Sequence, residues 1–164
     1  MSDRETFLQA LQPVLELVRT ISPSDPEAEA KLNRALPPDG EVLSRVRTLM
    51  REGVAARWLC DRENAGVRFS RVQKSDGSGL SIDAVHMERA GAGHTHPHGE
   101  IDLCFSVEGN PKFDGKPAGW VVYAPNTWHV PTVQGGAMDI LYFLPAGAIQ
   151  FGPKPEGAQQ VGLR

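Results

Sequence analysis

The chain has no run of eighteen or more apolar residues, so no membrane-spanning helix is expected. It also lacks an excess of either charge. With 17 basic against 20 acidic residues and a net charge of −3, it carries no basic footprint for nucleic acid. No helix-turn-helix pattern stands out, and neither does an internal repeat. The opening Met-Ser-Asp-Arg-Glu-Thr has none of the apolar core of a secretory signal. Cysteine is scarce. Cys60 and Cys104 lie far apart, each among strand-like apolar residues, and read as buried free thiols rather than a disulfide. These absences point to a cytoplasmic protein that partners neither membrane nor nucleic acid. Its 164 residues suffice for one cored unit with some extension.

What is present is concentrated histidine. Three imidazoles and a carboxylate fall within the seven residues His94-Thr95-His96-Pro97-His98-Gly99-Glu100, and four of the five histidines lie there or at His129. Alternate side chains of an extended chain share a face, so His94 and His96 can point at one atom. Glu100 has the same parity but lies beyond Pro97 and Gly99, so a bend must carry it round. Imidazoles with one carboxylate suit Fe, Mn, Zn, Ni or Cu. Short His tracts can bind metal adventitiously, but the clustering favours one divalent ion held by His94, His96, Glu100 and His129. Three roles are open to His98: a ligand in place of a neighbour, an acid or hydrogen-bond donor, or a solvated loop residue.

In chain order, Ser2 and Glu5 make a capping box. Phe7, Leu8, Leu11, Val14, Leu15, Val18 and Ile21 then follow at helical spacing. Pro13 predicts a kink or restart. Ser24-Asp25-Pro26-Glu27 opens a second helix that runs to about Leu36. A third starts near Asp39 or Gly40 and stops at Gly53. From residue 54 the texture changes to short runs between turn residues. Strands are expected at Ala56–Cys60, Val67–Val72, Leu80–Glu88, Ile101–Val107, Gly119–Ala124, His129–Gln134 and Met138–Leu144. Turns are expected at Lys74–Gly79 and Glu108–Pro111. The polar face of the 101–107 strand (Glu100, Asp102, Cys104, Ser106) should lie on the ligand side. Many short strands argue for an all-β sandwich or barrel. The expected organisation is a helical arm over 1–53, packed on the barrel or on another subunit, a metal-binding barrel over 54–145, and an irregular surface tail over 146–164.

The His-x-His-x-x-x-Glu spacing, with Gly109 after it and Gly119, Pro125 and His129 further on, resembles the two motifs of the cupin superfamily. In the second motif His129 comes one residue early, Thr127 stands for a glycine, and no asparagine follows. This resemblance, over roughly residues 55 to 145, implies a mainly β, cupin-like double-stranded β-helix (jelly-roll) barrel. More narrowly the chain resembles the 4-hydroxylaminobenzoate lyases of bacterial nitrobenzoate degradation. It shares their helical arm, the Gly-His-Thr-His-Pro-His-Gly-Glu-Ile run and Pro-Asn-Thr-Trp-His-Val-Pro. That resemblance implies an ammonia-releasing lyase that converts 4-hydroxylaminobenzoate and water to 3,4-dihydroxybenzoate (protocatechuate). It also implies a homodimer or higher homo-oligomer.

For such a reaction the bound metal (Fe, Mn or Zn) acts as a Lewis acid. Proton transfer falls to His98 first, with Glu100 and His86 as alternatives. The small aromatic carboxylate substrate needs an apolar slot, for which Trp128, Phe105 and Tyr142 are candidates. Its carboxylate needs a cation, drawn from Arg57, Arg68, Arg71 and Arg89. His86 faces the barrel interior or is a hydrogen-bonded core residue. The rival readings are an Fe(II) dioxygenase on a small aromatic substrate and a non-enzymatic small-molecule-binding cupin.

Overall fold

The computed structural model describes residues 1–74 and 79–162. Four helices come first: α1 (Asp3–Ala10), α2 (Gln12–Val18), α3 (Ala28–Ala35) and α4 (Glu41–Ala55). The Ser2–Glu5 capping box is formed in both directions. Pro13 falls in the first turn of α2, where its missing N–H costs nothing, so the chain restarts there. Two helix boundaries differ from expectation. Asp25 accepts a hydrogen bond from the Glu27 N–H at 2.9 Å, a local turn that delays α3 to Ala28. Helix α4 runs past Gly53 to Ala55, because Gly53 lets Trp58 and Leu59 close onto the helix. A Cβ there would sit 2.8 Å from either side chain.

The predicted strand at Ala56–Cys60 is instead a reversal over the end of α4. The Trp58 and Leu59 N–H groups both donate to the Gly53 carbonyl. Arg57 and Cys60 take positive φ, 63° and 55°, which no strand allows.

Ten strands follow: β1 (Arg62–Asn64), β2 (Val67–Gln73), β3 (Leu80–Met87), β4 (His94–His96), β5 (Glu100–Phe113), β6 (Gly119–Tyr123), β7 (Thr127–His129), β8 (Val133–Pro145), β9 (Gln150–Phe151) and β10 (Gln159–Gln160). They form a six-stranded sheet, β1-β2-β3-β8-β5-β6, and a four-stranded sheet, β10-β7-β4-β9. Every strand pairing is antiparallel except that of β10 with β7. This is the expected mainly β architecture with N-terminal helices.

Three strand details differ from expectation. Glu108–Pro111 is no turn: it lies within β5, where the register against β8 shifts between Ser106 and Lys112. Gly109, at φ +73°, lets the bulge pass; a Cβ there would meet the Gly135 carbonyl oxygen at 2.5 Å. The expected 129–134 strand is split, since His129 ends β7 and Val133 begins β8, with Pro131 between. The tail is not wholly irregular, because β9 pairs with β4 and β10 with β7. The turn at Lys74–Gly79 falls mainly on 75–78, outside the described residues, while β2 and β3 beside it pair as expected.

The six-stranded sheet is apolar on both faces. Leu80, Ile82, Ala84, Ile101, Leu103, Phe105, Trp120, Leu141 and Phe143 join Phe7, Leu11, Val14, Leu15, Leu32, Leu43 and Met50 of the helices in one core. The amphipathic helices thus bury their stripes on this sheet. Each large side chain so buried contributes about 1.5–3 kcal/mol. The other face, with Val85, Met87, Cys104, Val121, Tyr123, Ile140 and Tyr142, looks into the barrel. Cys60 and Cys104 are buried free thiols. Among the described residues no helix is long and apolar enough to cross a membrane.

Candidate metal centre

Strand pairing builds the cluster. In the four-stranded sheet His94 stands opposite His129, and His96, two residues on, shares their face. The three ring centroids lie 4.6 to 4.8 Å apart. Glu100 arrives from the other sheet through the bend the sequence called for. The Gly99 N–H donates to the His96 carbonyl at 3.2 Å, with Gly99 at φ +81°. A Cβ at Gly99 would fall 2.5 Å from Pro23 and 2.7 Å from the Tyr123 carbonyl oxygen, so only glycine fits there. One ligand atom each from His94, His96, Glu100 and His129 lies within 4.8 Å of the others, and all four residues are buried.

The hydrogen bonds around the cluster fit a cation. The Nδ1 of His94 donates to the Ala92 carbonyl at 3.0 Å, and that of His129 to Asp114 Oδ2 at 2.6 Å. A neutral ring whose Nδ1 donates presents a lone pair at Nε2. The two Nε2 atoms face each other at 3.1 Å, so two lone pairs confront one another. Two ligand bonds of about 2.1 Å to one ion span such a gap. Both nitrogens of His96 are buried without a hydrogen-bond partner, and the buried oxygens of Glu100 have none but the neighbouring Asp102 carboxyl. The nearest approach between His96 and Glu100 is 3.5 Å. Leaving such groups unpaired costs about 1–3 kcal/mol each, and a shared cation removes that cost.

Electrostatics agree. Burial, then the neighbouring imidazoles, push His94 down to about 4 and His96 down to about 2, which keeps both rings neutral as ligation requires. Burial holds the Glu100 and Asp102 carboxyls above the usual carboxylate range; a bound cation reverses that effect at Glu100.

The other expected site residues divide. Tyr142 lies on the barrel face, its hydroxyl 3.5 Å from Met87 Sδ. Phe105 does not reach the site: its parity in β5 turns it into the helix core. Trp128 alternates with His129 and so points out of the barrel, donating Nε1–H to the Gly152 carbonyl at 2.9 Å. His98 sits exposed in the turn before Gly99, outside the buried cluster. His86 is on the helix side, 2.8 Å from Asp139, and is thus the hydrogen-bonded histidine rather than a barrel-facing one.

None of the four candidate arginines is shown facing the cluster. Arg68 donates to the Cys60 and Val54 carbonyls, Arg71 pairs with Asp83, Arg89 lies beside Glu88, and Arg57 is exposed. Ser106 is exposed as well, so the polar face of β5 ends at Cys104.

Three residues went unread in the sequence. Asp114 accepts from Tyr123 Oη–H, from His129 and from the Thr132 N–H at 2.9 Å. In sequence it looks like any turn aspartate. Tyr123 stacks on His96 with centroids 5.3 Å apart and planes at 13°. Phe151 pairs in register with His94, and its ring centroid lies 5.5 Å from that of His94.

The model of the 4-hydroxylaminobenzoate lyase family (PnbB) matches residues 9–151, which include the whole cluster. The chain belongs to that family. Two curated members are similar to it. The 4-hydroxylaminobenzoate lyase of Pseudomonas putida is 30% identical over 149 residues, covering 79% of this chain and 85% of its own. That of Nocardioides sp. (strain LMS-CY) is 29% identical over 167 residues, covering 94% and 98%. Among solved structures, a cupin-like protein from Thermotoga maritima aligns at TM-score 0.40 and 16% identity over 56% of this chain and 79% of its own. The nucleoside dehydratase Pac13 aligns at 0.41 and 16% over 57% and 83%.

Proposed function

We propose that the chain is itself a metal-dependent 4-hydroxylaminobenzoate lyase, which forms 3,4-dihydroxybenzoate and ammonia. The observation that carries this is the family match across the segment whose three imidazoles and one carboxylate converge inside the barrel. His94, His96, Glu100 and His129 would hold one divalent ion, with Fe, Mn or Zn suited to that donor set. When bound, the ion supplies Lewis acidity beside the hydroxylamino group.

The reaction balances without an external oxidant. The substrate and one water equal the dihydroxy acid and ammonia. Hydroxide leaves nitrogen and takes up a proton as water, a water adds at the ring carbon ortho to the nitrogen-bearing one, and the imine is hydrolysed by a second water, for a net uptake of one. Those steps need a group that passes protons. Asp102 would serve: it is fully buried and on the same face of β5 as Glu100, close enough for the two carboxyls to share a hydrogen. Phe151 stands in the cross-strand row of His94 and His129, yet is 65% exposed. Its ring thus offers a free apolar face at the cluster's edge for the substrate ring.

The test is incubation of metal-loaded protein with 4-hydroxylaminobenzoate under nitrogen. Ammonia and 3,4-dihydroxybenzoate should appear in equal amounts. Absence of ammonia, or oxygen uptake stoichiometric with product in air, sinks the assignment. In the same assay Phe151→Ala should raise KM about tenfold, the loss of one ring contact, with kcat retained. An unchanged KM removes Phe151 from the slot.

A further inference from the structure

Asp114 is a carboxylate outside the cluster that is bonded to one of its imidazoles and to the tyrosine stacked on another. It lies just past β5, far in sequence from every ligand, yet its Oδ2 takes the hydrogen of His129 Nδ1 at 2.6 Å and that of the Tyr123 hydroxyl. Its Oδ1 takes the Thr132 N–H at 2.9 Å. That third bond fixes the carboxylate plane against the segment joining β7 to β8. Tyr123 is pinned in turn, its ring stacked on His96 and 4.4 Å from His129, centroid to centroid. One carboxylate therefore ties two of the three imidazoles into a fixed arrangement.

We propose that Asp114 is a positioning residue: by accepting the His129 Nδ1 hydrogen it fixes the tautomer that turns the Nε2 lone pair toward His94, and so sets the affinity of the centre for a cation. A ring free to carry its hydrogen on Nε2 would aim an N–H at His94 Nε2 across 3.1 Å. That hydrogen bond satisfies both nitrogens and closes the gap a cation needs. Asp114 prevents this arrangement, and Tyr123 holds the ring of His96 in place through the same oxygen. The inference rests on the metal reading of the cluster but not on the identity of the substrate.

The experiment uses the full chain, stripped of metal, with cobalt(II) as the probe. In Asp114→Asn the amide oxygen keeps the Thr132 N–H while the amide N–H₂ turns to His129, which demands the opposite tautomer. Cobalt affinity, read from its visible absorption, should fall about 10–100-fold, the usual effect of losing a histidine's outer partner. Tyr123→Phe removes the tie that pins its ring on His96 but leaves the hydrogen of His129 on Nδ1, so its affinity should fall less than that of Asp114→Asn while the His129 nitrogen shifts stay as in wild type. The nitrogen shifts of His129 in metal-free wild type provide a readout independent of affinity and of the variants' folding. They should report hydrogen on Nδ1 in wild type and on Nε2 in Asp114→Asn.

Hydrogen on Nε2 in the wild type overturns the proposal, as does equal cobalt affinity in Asp114→Asn. Wild-type protein that binds no cobalt overturns the metal reading itself, a separate outcome.

Discussion

The two faces of β5 are built from neighbouring residues and do opposite things. Ile101, Leu103 and Phe105 point at the helices and are sealed in an apolar core. Glu100, Asp102 and Cys104, one residue out of step, point into the barrel, where the two carboxyls have no hydrogen-bond partner but each other. The first face stabilises by the transfer of apolar surface from water. The second destabilises the empty protein, since unpaired buried carboxyls cost about 1–3 kcal/mol each. Such a face persists in a fold because something completes it, and the three imidazoles opposite indicate what that is.

The largest break in this contrast comes at Glu100. Glu100→Gln keeps the shape and removes the one carboxylate of the proposed centre, so bound metal and ammonia release should both be lost. The fall in metal affinity should exceed the 10–100-fold typical of outer partners. Metal-free wild type and metal-free Glu100→Gln should melt within a few degrees of each other, or with the variant higher, because the substitution relieves an uncompensated buried acid. Calorimetry with and without chelator checks this. A variant that holds metal as tightly as wild type removes Glu100 from the centre and leaves the inward face without explanation.

Next in size is Phe105→Ala on the opposite face. A buried phenylalanine cut to alanine costs about 3–5 kcal/mol, and that loss should appear in denaturant unfolding. Cobalt affinity of the folded variant should stay within about twofold, since the deleted ring faces the helices. A large change in metal affinity at constant stability would mean the two faces of β5 are coupled in a way the sheet geometry does not show.

Local patterns in the sequence reached much of this. The His-x-His spacing put two rings on one face because strand parity needs no tertiary information, and the capping box of α1 is equally local. What escaped was nonlocal or depended on tolerance of odd backbone. Phe105 has the composition of a pocket aromatic, yet alternation from Glu100 sends it to the helix side. The Glu108–Pro111 stretch carried turn residues, and these instead serve a bulge in a long strand, because β8 is there to pair with it. Asp114 carried no signal at all. Its importance lies in three donors brought from Tyr123, His129 and Thr132, and only the folded chain assembles them.

The smallest expected effect is at His98. The motif places it between two ligands, which made it the first choice for proton transfer. The fold instead lifts it out: Pro97 and His98 form the exposed turn that lets Gly99 bond back to the His96 carbonyl and brings Glu100 inward. An exposed side chain at a turn contributes within about 0.5 kcal/mol to stability, and nothing connects its ring to the buried cluster. His98→Ala should therefore retain metal content, melting temperature and single-turnover rate, all within about twofold of wild type. A drop in the chemical step with metal content unchanged would show that the turn folds over the substrate during reaction and delivers the imidazole to it. Proton transfer would then belong to His98 and not to Asp102 on the inward face of β5.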